Sequence, residues 1–174
     1  MLTIPKRYDY TRPYPHVPAT GGQLAKRMSA VWAECIDDIE LLESFEKASE
    51  KRSLPRLNLE QQQVVWRLMP VASYLYFLYA ERSGLVKIGR TKEPGKRISS
   101  LRTMSAEPLK CLGVIRCHFD HEQMLHAALH EHRSHGEWFK MTNLLADLID
   151  KALDDGIRPI HEFIVERLDP DTKG

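Results

Sequence analysis

Apolar residues recur at spacings of three and four along the first third of the chain, which is the period of an amphipathic helix. From Gln23 to about Lys51 the repeating positions are Leu24, Met28, Val31, Cys35, Ile39, Leu42 and Phe45. A second helix is predicted to begin after Asn58, with Gln61 at the capping-box position and Pro70 as its end. We therefore predict that residues 23–70 form a helical accessory segment.

The middle of the chain changes to a mixture of strand and helix patterns. Strands are predicted over 74–80, 85–90 and 109–117, with a Ser83-Gly84 turn between the first two. Helices are predicted from Pro94 to about 104, over 121–132, from Thr142 to 156 and from near Pro159. The resulting expectation is an α/β (α+β) fold: a small, mainly antiparallel three-stranded sheet flanked by helices, with an N-terminal helical extension.

Four regions follow along the chain. Residues 1–22 contain four prolines and alternate tyrosines with basic residues, which predicts an extended arm. The helical accessory segment spans 23–70, the central domain spans 71–140, and residues 141–174 are predicted to be C-terminal helices packed on that domain.

Charge is unevenly distributed, although the whole chain carries a net charge of only +1. The stretch 73–140 has 11 Lys/Arg and 7 Asp/Glu, whereas 141–174 has 4 and 8. A basic middle can attract phosphates, but this asymmetry alone is weak evidence. Three cysteines without a C-x-x-C motif favour reduced core residues, and no apolar stretch is long enough to span a membrane. The N-terminus lacks the apolar core of a signal peptide, so a cytoplasmic location is expected.

Basic residues cluster around the second strand and the helix that follows: Lys87, Arg90, Lys92, Lys96, Arg97 and Arg102. The N-terminus of that helix offers unsatisfied N–H groups and the positive end of its dipole, which suits a phosphate. Because Ile98 and Leu101 must face the core, Arg97 is expected at the boundary, partly buried and in need of an anionic partner. A surface ion pair with Glu93 is the alternative.

A histidine-rich helix, "HEQMLHAALHEH", places Glu122, His126 and His130 at i, i+4 and i+8 on one face. A carboxylate and two imidazoles in a row are possible metal ligands, but no fourth ligand has the spacing of a zinc site. The alternative interpretation is that the two histidines lie at the boundary beside the core residues Leu125 and Leu129.

Together, the two clusters supply the groups needed for phosphodiester hydrolysis. A phenolate can accept a proton when neighbouring cations lower its pKa, and arginine suits the phosphate oxygens. One carboxylate is enough to anchor a hydrated Mg²⁺, which keeps most of its waters.

Four motifs in this order resemble the GIY-YIG nuclease superfamily, and most closely its phage- and plasmid-type branch. They are "YLY" at 74–76, "KIG" at 87–89, "GRTKEPGKRISSL" and "HEQMLHAALHEHRSHGEWF". The resemblance covers residues 74–139 and implies that 71–140 is a GIY-YIG-like nuclease domain.

The resemblance also implies roles for individual residues. Tyr76 stands for the first motif's tyrosine, a candidate general base, and Arg97 for the arginine that stabilises the phosphate. Arg90 would help to hold the tyrosine or the phosphate, and Glu122 would bind the metal. Gly89 would permit a close approach of the backbone.

Departures from the family pattern occur at three positions. Tyr74 replaces the first motif's glycine. Lys87 replaces the second motif's tyrosine but keeps a cation near the phosphate, and it is counted among the candidate catalytic residues. Leu101 stands one turn after Arg97, where several relatives have His or Tyr. His126, one turn after Glu122, is a candidate acid or base. Glu137 is expected to pair with a basic residue and not to bind the metal.

The sequence therefore predicts a divalent-metal-dependent endonuclease that hydrolyses DNA, using Mg²⁺ or Mn²⁺, with RNA not excluded as a substrate. Lys92, Lys96 and Arg102 are the predicted nucleic-acid contacts. One alternative is a catalytically degenerate domain that binds nucleic acid without cutting it. A second alternative is a protein-interaction module, with a possible homodimer through the N-terminal helices.

Overall fold

A computed structural model describes residues 21–51, 57–69 and 72–168, with side chains in the first helix from Ile36 onward. Its helices are α1 (Gly21–Glu50), α2 (Leu59–Leu68), α3 (Pro94–Met104), α4 (His121–Ala128), α5 (Asn143–Asp155) and α6 (Arg158–Leu168). Its strands are β1 (Ala72–Ala80), β2 (Leu85–Thr91), β3 (Leu109–His118), β4 (Arg133–His135) and β5 (Trp138–Lys140). The predicted arm lies outside the described residues, apart from its last two glycines, which begin α1.

Most of the predicted elements are confirmed, including both helix caps that the sequence indicates most clearly. Asn58 and Gln61 form the capping box of α2, with each side chain accepting from the other residue's backbone N–H. Thr142 caps α5 by accepting a hydrogen bond from the backbone of Leu145. Asp120 occupies the N-cap position of α4, but its side chain makes no capping hydrogen bond.

The expectation of three strands is wrong, because the sheet has five. All its pairs are antiparallel, in the order β3-β1-β2-β5-β4. The two extra strands are three residues long and connected through Gly136, whose φ of 51° makes a tight turn. The three residues of β4 are all exposed, so this strand has no alternating pattern that the sequence could reveal.

The helix predicted over 121–132 ends early, at Ala128. His130–His132 form a single 3₁₀ turn, and β4 begins at the next residue. A tight turn at this point lets the chain reverse into the β4–β5 hairpin, which pairs with the free edge of β2.

Each face of the sheet has its own core, because successive side chains of β1 point to opposite faces. Leu75 and Phe77 join the larger core, which also contains side chains of all the helices except α3. Tyr76 and Leu78 join a smaller core with Ile98 of α3. The candidate site therefore begins on the face covered by α3.

The accessory helix α1 shares the larger core through Ile36, Ile39 and Leu42. It is also fixed to β3 by Glu46, which pairs with the buried guanidinium of Arg116 and accepts a hydrogen bond from the Tyr74 hydroxyl. The division of the chain into domains stays a prediction. No helix in the described part of the chain is long and apolar enough to cross a membrane.

We expect Glu46→Gln to lower the free energy of unfolding by about 2 kcal/mol, because it weakens a charged hydrogen bond to a buried arginine. The measurement is urea-induced unfolding followed by circular dichroism. Lys47→Gln is the matched control, since it removes only an exposed i,i+4 pair with Glu43, of about 0.5 kcal/mol or less. Equal unfolding midpoints for the two variants would show that α1 does not depend on this contact.

Candidate active site

The centre of the candidate site is the contact between Tyr76 and Gly89. The two residues are register partners on β1 and β2, and both point their side-chain positions toward α3. A Cβ added to Gly89 would lie 2.2 Å from the Tyr76 hydroxyl oxygen. The phenol therefore occupies the space that any other residue's side chain would need at this position.

Arg97 reaches this phenol from the first turns of α3. Its guanidinium hydrogen-bonds to the Tyr76 hydroxyl and places a positive charge beside it. Proline at the first position and the core residue Ile98 fix the start and the rotation of α3. The expectation of a partly buried Arg97 is wrong, because the residue is exposed. Glu93, its alternative partner, pairs with Lys96 instead, at 2.5 Å.

Tyr76 itself is only 1% exposed, so it lies deeper than the edge of the core. Burial raises the pKa of its phenol, and the charges of Glu137 and Glu122 raise it further. The hydrogen bond and charge of Arg97 act in the opposite direction, but the pKa stays above its usual value. At neutral pH this group is a phenol and not a phenolate.

Lys87 lies on the same face of β2, two residues before Gly89. Its ammonium forms a 2.5 Å ion pair with Glu137, and it lies 5.6 Å from the ring centre of Trp138. Burial raises the pKa of Glu137, but the hydrogen bond and charge of Lys87 outweigh it, so the net pKa is lowered. The expectation that Glu137 pairs with a basic residue is confirmed.

Arg90 and Glu122 form the second ion pair, between the end of β2 and the first turn of α4. Nε of Arg90 lies 3.5 Å from a carboxylate oxygen of Glu122, and this nitrogen is buried without a hydrogen-bond partner. Burial raises the pKa of Glu122, as does the negative charge of Glu137, while Arg90 and Lys87 lower it. The net pKa of Glu122 is raised, so the two cations offset only part of the effect of burial and of the nearby negative charge.

Comparison with known proteins gives one match, to the model of a domain family. Residues 73–157 match the T5orf172 domain. It is a phage-associated domain in the endonuclease-related group, and the match covers just under half of the chain. No curated protein and no solved structure matches the chain significantly. Every candidate site residue falls inside the T5orf172 match.

His126 has a structural contact within the matched region. Its Nε2 donates a hydrogen bond of 2.8 Å to the backbone carbonyl of Ile88, and its ring packs on Phe139. Burial lowers the pKa of this imidazole, and the charges of Arg133 and Lys87 lower it further. The imidazole is therefore neutral, and its hydrogen bond from Nε2 holds β2 in place beside Lys87.

Metal-ligating side chains do not form a cage among the described residues. No group of three or more histidines, cysteines or acids there is placed to hold an ion. His130 hydrogen-bonds to the carbonyl of Ala127 and lies in the 3₁₀ turn, away from the helical row that Glu122 and His126 share. The interpretation as a boundary residue fits the half-buried His126, whereas His130 is exposed.

The three predicted nucleic-acid contacts border the site on α3 and the turn before it. Lys92, Lys96 and Arg102 are all exposed. Lys96 pairs with Glu93, and Arg102 donates a hydrogen bond from Nε to the carbonyl of Leu109. The Arg102 backbone contact fixes the loop between α3 and β3, and its remaining guanidinium donors extend outward.

Glu137 is the residue that sequence reasoning left out of the site. It lies in the turn region between β4 and β5, and its charge acts on Tyr76, on Glu122 and on Lys87. The available signal was an acid between Gly136 and two aromatic residues at the edge of the sheet. Without the β2–β5 pairing, nothing in the sequence places that acid beside Lys87.

We expect Gly89→Ala to destabilise the protein by about 2 kcal/mol, because the new methyl group overlaps the Tyr76 ring. Gly95→Ala is the matched control: a Cβ there meets nothing within 4 Å, so stability should stay unchanged or rise by about 0.5 kcal/mol. Urea unfolding of both variants measures the difference. A Gly89→Ala variant as stable as wild type would contradict the tight contact.

Proposed function

We propose that the chain is a Mg²⁺-dependent endonuclease that hydrolyses DNA phosphodiester bonds, with Mn²⁺ as an alternative ion. The observation that carries this proposal is a group of side chains close together: the Tyr76–Arg97 pair, Lys87 and Glu122. The pKa of the Glu122 carboxylate stays raised although cations lie beside it. The T5orf172 match supports a phage-type, nuclease-like or DNA-binding domain. The GIY-YIG type and the roles below are our assignments.

Arg97, Lys87 and Arg90 are assigned to the phosphate. Arg97 is exposed, so its guanidinium can bind the phosphate oxygens while retaining its bond to Tyr76. Lys87 adds a second cation on the same face, and Arg90 adds a partly exposed guanidinium on the other face of β2, beside Glu122. Fixed cations of this kind stabilise the charge that develops on phosphorus-bound oxygens during hydrolysis.

Glu122 is the residue that would hold the metal ion. Mg²⁺ keeps several waters and is commonly bound by one or two carboxylates together with substrate phosphate, so a single carboxylate fits its chemistry. The raised pKa of Glu122 supports this assignment, because a buried carboxylate beside a second acid gains from an added cation. Bound Mg²⁺ would neutralise charge at the leaving oxygen.

Tyr76 is assigned as the group that accepts the proton of the attacking water, directly or through another water. The water oxygen forms its bond to phosphorus, its proton passes to the phenolate, and the bond to the leaving oxygen breaks. The reaction requires a phenolate, which Arg97 and the bound cation favour against the effect of burial. His126 is assigned a positioning role through the Ile88 carbonyl. Lys92, Lys96 and Arg102 are assigned to the DNA backbone.

A DNA-binding domain without cleavage activity is the second candidate. Two observations favour it: Leu101, one turn after Arg97, packs into the smaller core, and the Lys87 ammonium is already paired with Glu137. This candidate predicts salt-sensitive DNA binding and no cleavage with any divalent ion. The homodimer through the N-terminal helices and the cytoplasmic location stay predictions.

Arg97→Ala and Glu122→Gln are each expected to reduce nicking of supercoiled plasmid in Mg²⁺ by about 100-fold or more, because each removes a charge from the reaction. Lys151→Ala and Glu162→Gln remove the same kinds of charge from exposed positions on α5 and α6, and they should cut like wild type. Equal nicking by all five proteins would show that other residues, or a contaminant, cut the DNA.

We also expect the cleavage rate to rise with pH over about pH 6 to 9, approaching tenfold per unit. The pKa of Tyr76 is raised, so the phenolate is scarce at neutral pH and increases as protons are removed. Tyr76→Phe should abolish cleavage, whereas Tyr79→Phe, on the opposite face of β1, should retain both rate and slope. A flat wild-type profile would rule out the phenolate as the base.

A further inference from the structure

A groove lies beside the candidate active site, between the β1–β2 turn, the loop after α3 and the β4–β5 hairpin. Its volume is about 560 Å³, and its lining includes Ser83, Leu85, Ser105, Glu107, His135 and Trp138. This volume lies within the range of small-molecule binding sites. The proposed hydrolysis leaves the groove without a role.

One wall of the groove is aromatic. The rings of His135 and Trp138 are stacked, with an interplanar angle of 25° and ring centres 6.4 Å apart. Trp138 is half-buried against the smaller core, which holds its indole in place, while His135 is exposed. A fixed aromatic surface of this kind is what flat heterocyclic rings stack on.

The opposite wall contains a carboxylate. Glu107 accepts hydrogen bonds from the backbone N–H groups of Arg82 and Ser83, at 3.0 and 3.2 Å, which fixes it at the end of the β1–β2 turn. A fixed negative charge repels a phosphate but suits a ring that carries amino or imino N–H groups. Arg82 also lines the groove, so its charge is mixed, and the aromatic wall is what favours a flat nucleobase over the DNA backbone.

The groove and the proposed phosphate site are neighbours along β2. Leu85, Lys87 and Gly89 are alternate residues on one face, and alternate residues of a strand are about 7 Å apart. Lys87 lies between the two sites, close to the Trp138 ring on one side and on the Tyr76 face on the other. A DNA strand whose phosphate lies at Lys87 would thus have a neighbouring base within reach of the groove.

We propose that the groove binds one unpaired nucleobase next to the phosphate that is cut, so that the substrate is DNA with an unpaired nucleotide. The base stacks on Trp138 and His135, and Glu107 accepts hydrogen bonds from its edge. This inference rests on the proposed function for the position of the DNA strand. A base inside a duplex is stacked on both sides and cannot enter the groove unless it is extruded.

The test compares two labelled duplexes that differ in one group: one carries a single bulged thymine and the other an abasic bulge. Binding to the full chain is measured by fluorescence anisotropy in EDTA, which prevents cleavage. Wild type should bind the thymine bulge about 5-fold or more tightly than the abasic bulge. Trp138→Leu should lose this preference while binding the abasic duplex as before.

Two further variants make the result interpretable. His135→Ala changes an exposed residue and should reduce the preference even if Trp138→Leu fails to fold. Trp66→Phe alters an exposed tryptophan on α2, which is not among the groove residues, and should leave the preference intact. Equal wild-type affinities for the two duplexes would overturn the inference. Plasmid nicking by the same preparation tests the proposed function separately. Cleavage without a preference for the thymine bulge would contradict the groove assignment and leave the proposed function intact.

Discussion

The candidate site depends on the close contact between the Tyr76 ring and the backbone of Gly89, which has no side chain. A side chain on β2 at that point would expel the phenol, so the contact fits only one pairing of β1 with β2. A slip of one residue would turn Lys87 toward the larger core and Arg90 toward α3. The distribution of cations on the two faces of β2 therefore depends on glycine at this position, whose side chain is a hydrogen atom and not a methyl group.

Around this contact, burial and charge act against each other. Tyr76 and Glu122 are both in surroundings that disfavour their ionised forms, and each has one arginine that favours ionisation. Glu137 is the exception, because its ion pair with Lys87 lowers its pKa. The result is a site whose acids are held close to cations but are not neutralised by them. Such a region gains from an incoming cation and an incoming phosphate together, since each offsets the repulsion that the other adds.

Much of this arrangement could be predicted from the sequence, because it depends on local signals. The apolar periods gave the helices, the alternation in "YLYFLYA" gave the two faces of β1, and the basic cluster lies around α3 as expected. The strands β4 and β5 could not be predicted, since each has only three residues and those of β4 are all exposed. Glu137 was left out of the site for a different reason. Its neighbours are set by a pairing between residues that are about fifty positions apart in the sequence. The burial of Tyr76 and the exposure of Arg97, which was expected to be partly buried, were likewise decided by tertiary packing.

The pairing of β5 with β2 has a consequence for the order of events during synthesis. A nascent chain that has emerged as far as α4 already contains Tyr76, Lys87, Arg90, Arg97 and Glu122. It lacks Glu137 and Trp138, so the Lys87 ammonium is without its ion-pair partner, and one edge of β2 is unpaired. An unfinished molecule would carry the full set of cations without the hairpin that orders them. Completion of the sheet by its last two strands is thus also the step that gives Lys87 a fixed position.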